Sequence, residues 1–225
     1  MRYRCWWRWR RASIRLQPWG GPGSIHVRAS LADQTGPAAS TTLAIALGAN
    51  LPGPVGSPLA TLIAVRPLLE ARVLEWHESL PPPGEAVTLR WSPLFETQPV
   101  GGPPGQPNYL NAVVLVDGPS PPHTTAAEAL LEQLQGLEQH FGRERHERWA
   151  PRSLDLDLLW WGDLRCQTPR LQLPHPLWRE RDFVLAPLAA LEANLGAALG
   201  GVALGQAALG PGGTAMALTG RAGWP

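Results

Sequence analysis

Residues 148–161 read RWAPRSLDLDLLWW, and the segment from Ser153 onward decides the fold. Leu154, Leu156 and Leu158 alternate with Asp155 and Asp157. Successive side chains on a β-strand point to opposite faces, so the leucines enter a core while both carboxylates share the other face. The run is otherwise apolar, which predicts a buried, central strand over 153–161. At a rise of ~3.3 Å per residue the two acids stand about 7 Å apart along it. Charges projecting from a buried strand are costly unless a metal or a partner compensates them. Mg²⁺ takes one or two carboxylates and completes its shell with water and phosphate oxygens, so the spacing suits one or two such ions. Arg143, Arg145, Arg148 and Arg152 lie just upstream. Guanidinium forks neutralise phosphate charge as it moves. Either feature alone is commonly a solvated surface; side by side they point to phosphate chemistry on a nucleotide.

Outward from this strand the chain divides into alternating elements. Residues 43–48 (LAIALG) are a short apolar run ending at a Gly48-Ala49-Asn50 turn, the pattern of a buried strand. Residues 58–71 are apolar at helical spacing, with Pro67 predicting a kink or an early stop. Residues 73–77 (VLEWH) and 87–95 (VTLRWSPLF) read as strands around the breaker PPPGE. After a loop rich in Pro and Gly at 98–107, residues 109–117 (YLNAVVLVD) form a strand. Residues 124–140 carry apolar positions at Ala127, Leu130, Leu131, Leu134 and Leu137, the stripe of an amphipathic helix. A short helix or turn is expected at 183–192. The order predicts an α+β fold of the ferredoxin-like βαββαβ plan, an antiparallel sheet with helices packed on its faces.

The ends differ from this middle. Residues 1–41 carry seven arginines and one acid, a net +6, with many Trp, Gly, Ser and Pro. The expectation is a basic leader without fixed structure; an arm for nucleic acid or a membrane surface, or an organelle transit peptide, has the same composition. Residues 42–225 carry twelve arginines and seventeen acids, a net −5. Residues 193–225, rich in Gly, Ala and Leu, are expected to pack weakly. The chain of 225 residues has two cysteines, Cys5 and Cys166, and no C-x-x-C. That excludes a disulfide framework and a cysteine zinc site and fits a reducing compartment, the cytoplasm. No run of ~18 apolar residues occurs, so no membrane span is expected.

Four segments, in this order, resemble the 6-hydroxymethyl-7,8-dihydropterin pyrophosphokinase family of folate enzymes. They are IALGAN (45–50), GQPNYLNAVV (105–114), LEQHFGRERHERWAPRSLDLDLL (137–159) and LPHPLWRERDFVLAPL (173–188). The resemblance covers residues 42 to about 192 and so predicts a domain over 42–192. It implies transfer of pyrophosphate from ATP to the pterin hydroxymethyl group, with release of AMP. It implies two Mg²⁺ ions on Asp155 and Asp157, with Arg143 and Arg152 steadying charge on the phosphates. Gln135, Glu138, Arg145, Trp149, Arg152, His175 and Arg181 would meet ATP, and residues 142–152 would form a lid. Thr97, Gln98, Val100, Tyr109, Asn111 and Phe183 would hold the pterin, Asn111 reading its amide edge and Phe183 stacking on its ring. Two departures, the added PPPGEAVTL segment and Gln98 where proline is common, concern loops rather than the reaction.

Two other classes make distinct predictions. A catalytically silent pterin or nucleotide binder would have lost an aspartate, an arginine or the histidine, and all are present. A metal-dependent nucleic-acid enzyme would surround the acid pair with a basic face, whereas residues 42–225 are net acidic. The expected partners are therefore ATP and the pterin, with no nucleic acid or membrane, and the chain is expected to act as a monomer.

Overall fold

A computed structural model describes residues 41–81, 86–118, 120–144, 149–191, 216–217 and 224. Residues 1–40 of the leader expected over 1–41, and most of the tail, thus lie outside the described residues. In chain order the elements are β1 (Leu43–Ala49), α1 (Pro58–Glu78), β2 (Thr88–Trp91), β3 (Phe95–Thr97) and β4 (Tyr109–Asp117). There follow α2 (Thr124–His140), β5 (Asp155–Trp161), β6 (Cys166–Gln167), β7 (Gln172–Leu173), a 3₁₀ turn (Trp178–Glu180), α3 (Asp182–Leu191) and β8 (Met216–Ala217).

The sheet is antiparallel and runs β5-β1-β4-β3-β8, with β2 also paired to β4. Residues alternate between two cores. Leu43, Ile45 and Leu47 of β1, with Leu154, Leu156 and Leu158, pack under α1 and α2. Ala44, Val113, Leu115, Leu159 and Trp160 pack under α3 and Trp178 on the other face. The register of β5 against β1 shifts between Ala44 and Ile45, so Leu159 is the extra residue of a bulge. Leu159 and Trp160 therefore both join the α3 core, whereas Asp155 and Asp157 keep the alternation read from the sequence.

Four expectations need correction. The run VLEWH continues α1 as a helix, because Leu62, Val65, Leu69, Val73 and Trp76 are buried at three- and four-residue intervals. Trp76 locks that end, its indole N–H donating to the Ala126 carbonyl at 2.9 Å and its ring meeting Trp161 edge-on. The run 87–95 is broken at Ser92-Pro93. The Ser92 N–H donates to the Val113 carbonyl, but the Val113 N–H turns to the Ser92 hydroxyl instead of its carbonyl. Proline has no N–H to continue the ladder. Strand β5 is at the sheet's edge rather than its centre. It is nonetheless buried because α2 and the 173–178 segment cover it: Glu138 accepts the Leu156 N–H at 2.8 Å, and His175 N–H donates to the Leu159 carbonyl at 2.7 Å. Finally, the tail returns to the sheet as β8, and Trp224 is buried. No helix among the described residues is long and apolar enough to cross a membrane.

Candidate active site

Register builds the site. Asp155 lies opposite Gly48, Gly48 opposite Asn111, and Asn111 opposite Phe95; Asp157 lies opposite Ala46. Residues facing each other across an antiparallel pair share a face, so an acid end and an amide end stand on one surface of the sheet. Between them are only Ala46 and Gly48, which leave the floor open. A Cβ on Gly48 would approach Asn111 Oδ1 to 2.9 Å, so glycine there keeps the amide in place. The cavity above this floor has a volume of about 700 Å³ and spans both ends.

Arginines hold the acid end. Asp155 Oδ1 accepts from Arg143 Nη1 at 2.7 Å and from Arg152 Nη1 at 2.9 Å. Arg143 also pairs with Glu138, and Arg181 Nη1 lies 3.3 Å from Asp157 Oδ2. Burial at the cavity floor and the like charge of Asp155 push the Asp157 carboxyl above the usual carboxylate range. Burial pushes Glu138 up to about 7, against the opposing pull of Arg143 and the Leu156 N–H. His175 is driven down to about 4, first by burial and then by the Arg181 charge. Its Nδ1 accepts the Leu177 N–H at 3.3 Å, so the neutral ring carries its proton on Nε2.

At the amide end, Asn111 Nδ2 donates to Thr97 Oγ1 at 2.8 Å, and both side chains are buried. That bond leaves the Asn111 carbonyl oxygen and second N–H able to read a flat ligand edge. Tyr109 and Phe183 line the cavity, and the Arg181 guanidinium carbon lies 5.3 Å from the Phe183 ring centre. The Tyr109 hydroxyl reaches the Ala150 carbonyl at 3.5 Å, and burial raises its pKa.

The structure brings Asp155, Asp157, Arg143, Arg152, Gln135, Glu138, Trp149, His175 and Arg181 to this one cavity, with Thr97, Gln98, Val100, Tyr109, Asn111 and Phe183. Arg145 and Arg148 lie outside the described residues. Val100 and Trp149 sit at the rim, 65% and 44% exposed. Gln106, inside the GQPNYLNAVV segment but assigned no role there, also lines the cavity, as does Arg170, which carried no sequence signal. Arg170 stands in the β6–β7 connection, where only folding brings it near the site, and it pairs with Glu132 at 2.7 Å. Asn50, in the turn after β1, also links loops around the cavity. Its Oδ1 accepts the Arg152 N–H at 2.8 Å, and its Nδ2 donates to the Pro107 carbonyl at 3.1 Å. It thereby ties the end of β1 to the loops before β5 and β4.

Fold and site together define a class: an α+β protein whose sheet carries an acid pair and an amide pocket in one cleft, with arginines over the acids. Residues 44–193 match the model of the 7,8-dihydro-6-hydroxymethylpterin-pyrophosphokinase family, and the chain belongs to that family. It is similar to the 2-amino-4-hydroxy-6-hydroxymethyldihydropteridine pyrophosphokinase of Pseudomonas aeruginosa, 38% identical over 151 residues, covering 67% of this chain and 80% of that one. The Haemophilus influenzae protein of the same name is 34% identical over 154 residues, covering 68% and 83%. A Synechocystis relative of that name is 49% identical over 89 residues, a segment spanning 39% of this chain and 42% of the relative.

Proposed function

We propose that this chain transfers the pyrophosphoryl group of ATP to the hydroxymethyl oxygen of 6-hydroxymethyl-7,8-dihydropterin, giving AMP and the pterin diphosphate, a step of folate biosynthesis. The observation that carries the reading is the shared cleft. Asp155 and Asp157 open into the same cavity as Asn111, Thr97 and Phe183, so a nucleotide and a flat heterocycle can be held side by side. Two relatives that bear the pyrophosphokinase name align over about four fifths of their length, which supports the same activity here. The sheet order, with the last main strand beside the first, supports reading the fold as ferredoxin-like. Residues 42–192 are read as the working domain, acting as a monomer. A cytoplasmic site of action suits the free thiol of Cys166.

The donor set fits Mg²⁺. Asp155 and Asp157 offer hard oxygen atoms on one face, and the repulsion between them is what a cation relieves. When bound there, the ions would gather the ATP phosphates and lower the pKa of the pterin hydroxyl. The protein's own side chains account for the rest. The hydroxymethyl oxygen gives up its proton to solvent and forms its bond to the β-phosphorus as the bridging bond to the α-phosphate breaks, and AMP departs with that electron pair. Arg143 and Arg152 are already aimed at Asp155, and phosphate oxygens give them a further acceptor as charge shifts toward the leaving group. In the free protein burial and the Arg181 charge keep the His175 ring neutral, with its Nε2–H available as a donor to a phosphate oxygen. Asn111, fixed by Thr97, aligns the pterin, so that the hydroxymethyl group lies along the line of attack.

The test is product analysis on the full chain with ATP, Mg²⁺ and 6-hydroxymethyl-7,8-dihydropterin. Pterin-dependent AMP without ADP is the expected result. ADP formation, or no turnover by a folded protein that binds both substrates, would overturn the assignment.

A further inference from the structure

Two pieces of the tail, both beyond the family match at 44–193, return to the sheet at one place. Strand β8 pairs with the outer edge of β3, Ala217 opposite Phe95 and Met216 opposite Glu96. Trp224 is 1% exposed, and its indole N–H donates to the Ser92 carbonyl at 2.9 Å. Its ring meets Trp91 edge to face with centres 5.1 Å apart. The guanidinium carbon of Arg66 lies 4.8 Å from the Trp91 ring centre and 5.2 Å from that of Trp224, so α1 closes the cage.

What is caged is the entry to β3. Ser92 is fully buried between β2 and β3, and β3 spans only Phe95–Thr97 before the chain becomes the cavity rim at Gln98 to Val100. So short a strand is weakly held by one neighbour. With β4 on one side and β8 on the other it becomes internal, and Trp224 anchors the chain three residues before it. Thr97, at its end, accepts the bond that orients Asn111. Trp224 belongs to the core under α1 and α2, on the face opposite the cavity, so it does not touch a substrate.

We infer that Met216–Ala217 and Trp224 form a C-terminal clamp that positions Thr97 and Asn111 for the pterin, with Trp224 a positioning residue. The inference rests on the pterin reading of the amide pocket. The acid end stands on β5, at the far edge of the sheet, and is held by arginines that the clamp does not reach. The clamp therefore acts on pterin binding and leaves ATP binding alone.

The test uses the full chain and its variants Trp224→Ala and Trp224→Phe, with hydrogen exchange over 92–100 and separate binding measurements for ATP and 6-hydroxymethyl-7,8-dihydropterin. Trp224→Ala should weaken pterin binding about tenfold, the factor for one lost anchor of 1.4 kcal/mol. It should leave ATP affinity within about twofold and speed exchange at 95–97. Trp224→Phe keeps a ring in the cage but loses the bond to Ser92 and part of the ring's volume, so it should fall between wild type and Trp224→Ala. Equal losses for both substrates, or unchanged pterin affinity and exchange in a folded variant, would overturn the clamp. Should Trp224→Ala not fold, Trp224→Phe decides by the same readouts. A wild-type chain that binds no pterin would instead sink the pterin reading, while the exchange data would still report on the clamp.

Discussion

Replacing Asn50 by alanine isolates the contact that joins three loops at the cleft. Asn50 is 2% exposed, and the substitution strips partners from the Arg152 N–H and the Pro107 carbonyl at once. Leaving one buried polar group unpaired costs about 1–3 kcal/mol. The Arg152 region borders the open cavity, where water can recover part of that loss. A total of about 3 kcal/mol is expected, and at about 2–4 °C per kcal/mol for a domain of this size the midpoint should drop by roughly 6–12 °C. Asn50→Asp keeps the acceptor for Arg152 but sets a buried carboxylate oxygen against the Pro107 carbonyl, so it should cost at least as much as alanine. Urea unfolding, with the slope checked for constancy, gives the number. Because the Arg152 backbone is released, turnover measured well below the new midpoint should also fall, by about tenfold. A loss under about 1 kcal/mol, or full activity at that temperature, would show that Asn50 does not organise the site and would refute the argument.

Other perturbations probe separate parts of the cleft. Asp157→Asn keeps the shape but removes the charge proposed to hold Mg²⁺; turnover should fall roughly a thousandfold, the equivalent of several kcal/mol, with the urea midpoint nearly unchanged. Gly48→Ala places a methyl 2.9 Å from Asn111 Oδ1, so the KM for the pterin should rise about tenfold through a misplaced hydrogen bond while that for ATP stays put. Glu138 has its carboxyl raised from 4.5 to about 7, so the native state binds this proton more tightly than the unfolded chain does. Its contribution to stability is therefore greatest below pH 4.5 and is lost as pH rises through 7. Without substrates, the stability difference between wild type and Glu138→Gln should fall by on the order of 3 kcal/mol across that window, and urea titrations giving a flat difference would contradict the burial argument.

Much of this cleft is legible in the chain because its chemistry is dense in one short segment. The alternation of leucines and aspartates around Asp157 names the strand, its two faces and the acid pair without any long-range information. The same holds for α2, whose apolar stripe from Ala127 to Leu137 is a local period, and for β4, whose run of valines ends at Asp117. Where a local pattern was ambiguous, tertiary burial chose. The VLEWH run fits a strand or a helix, and Val73 and Trp76 extend α1 because they continue the row of Val65 and Leu69 into the core.

The sequence by itself determined which residues carry charge, amide and ring, because side-chain chemistry and a two-residue period are local properties. Tertiary structure alone decided that β5 is an edge strand sealed by Glu138 and His175, that Asn50 joins Arg152 to Pro107, and that Arg170 reaches the cavity. It also decided that Trp224, 132 residues from Ser92 along the chain, anchors the strand leading to Thr97. Pairings of that range depend on which surfaces the sheet order brings together, and a composition of Gly, Ala and Leu along the tail carries no mark of its destination.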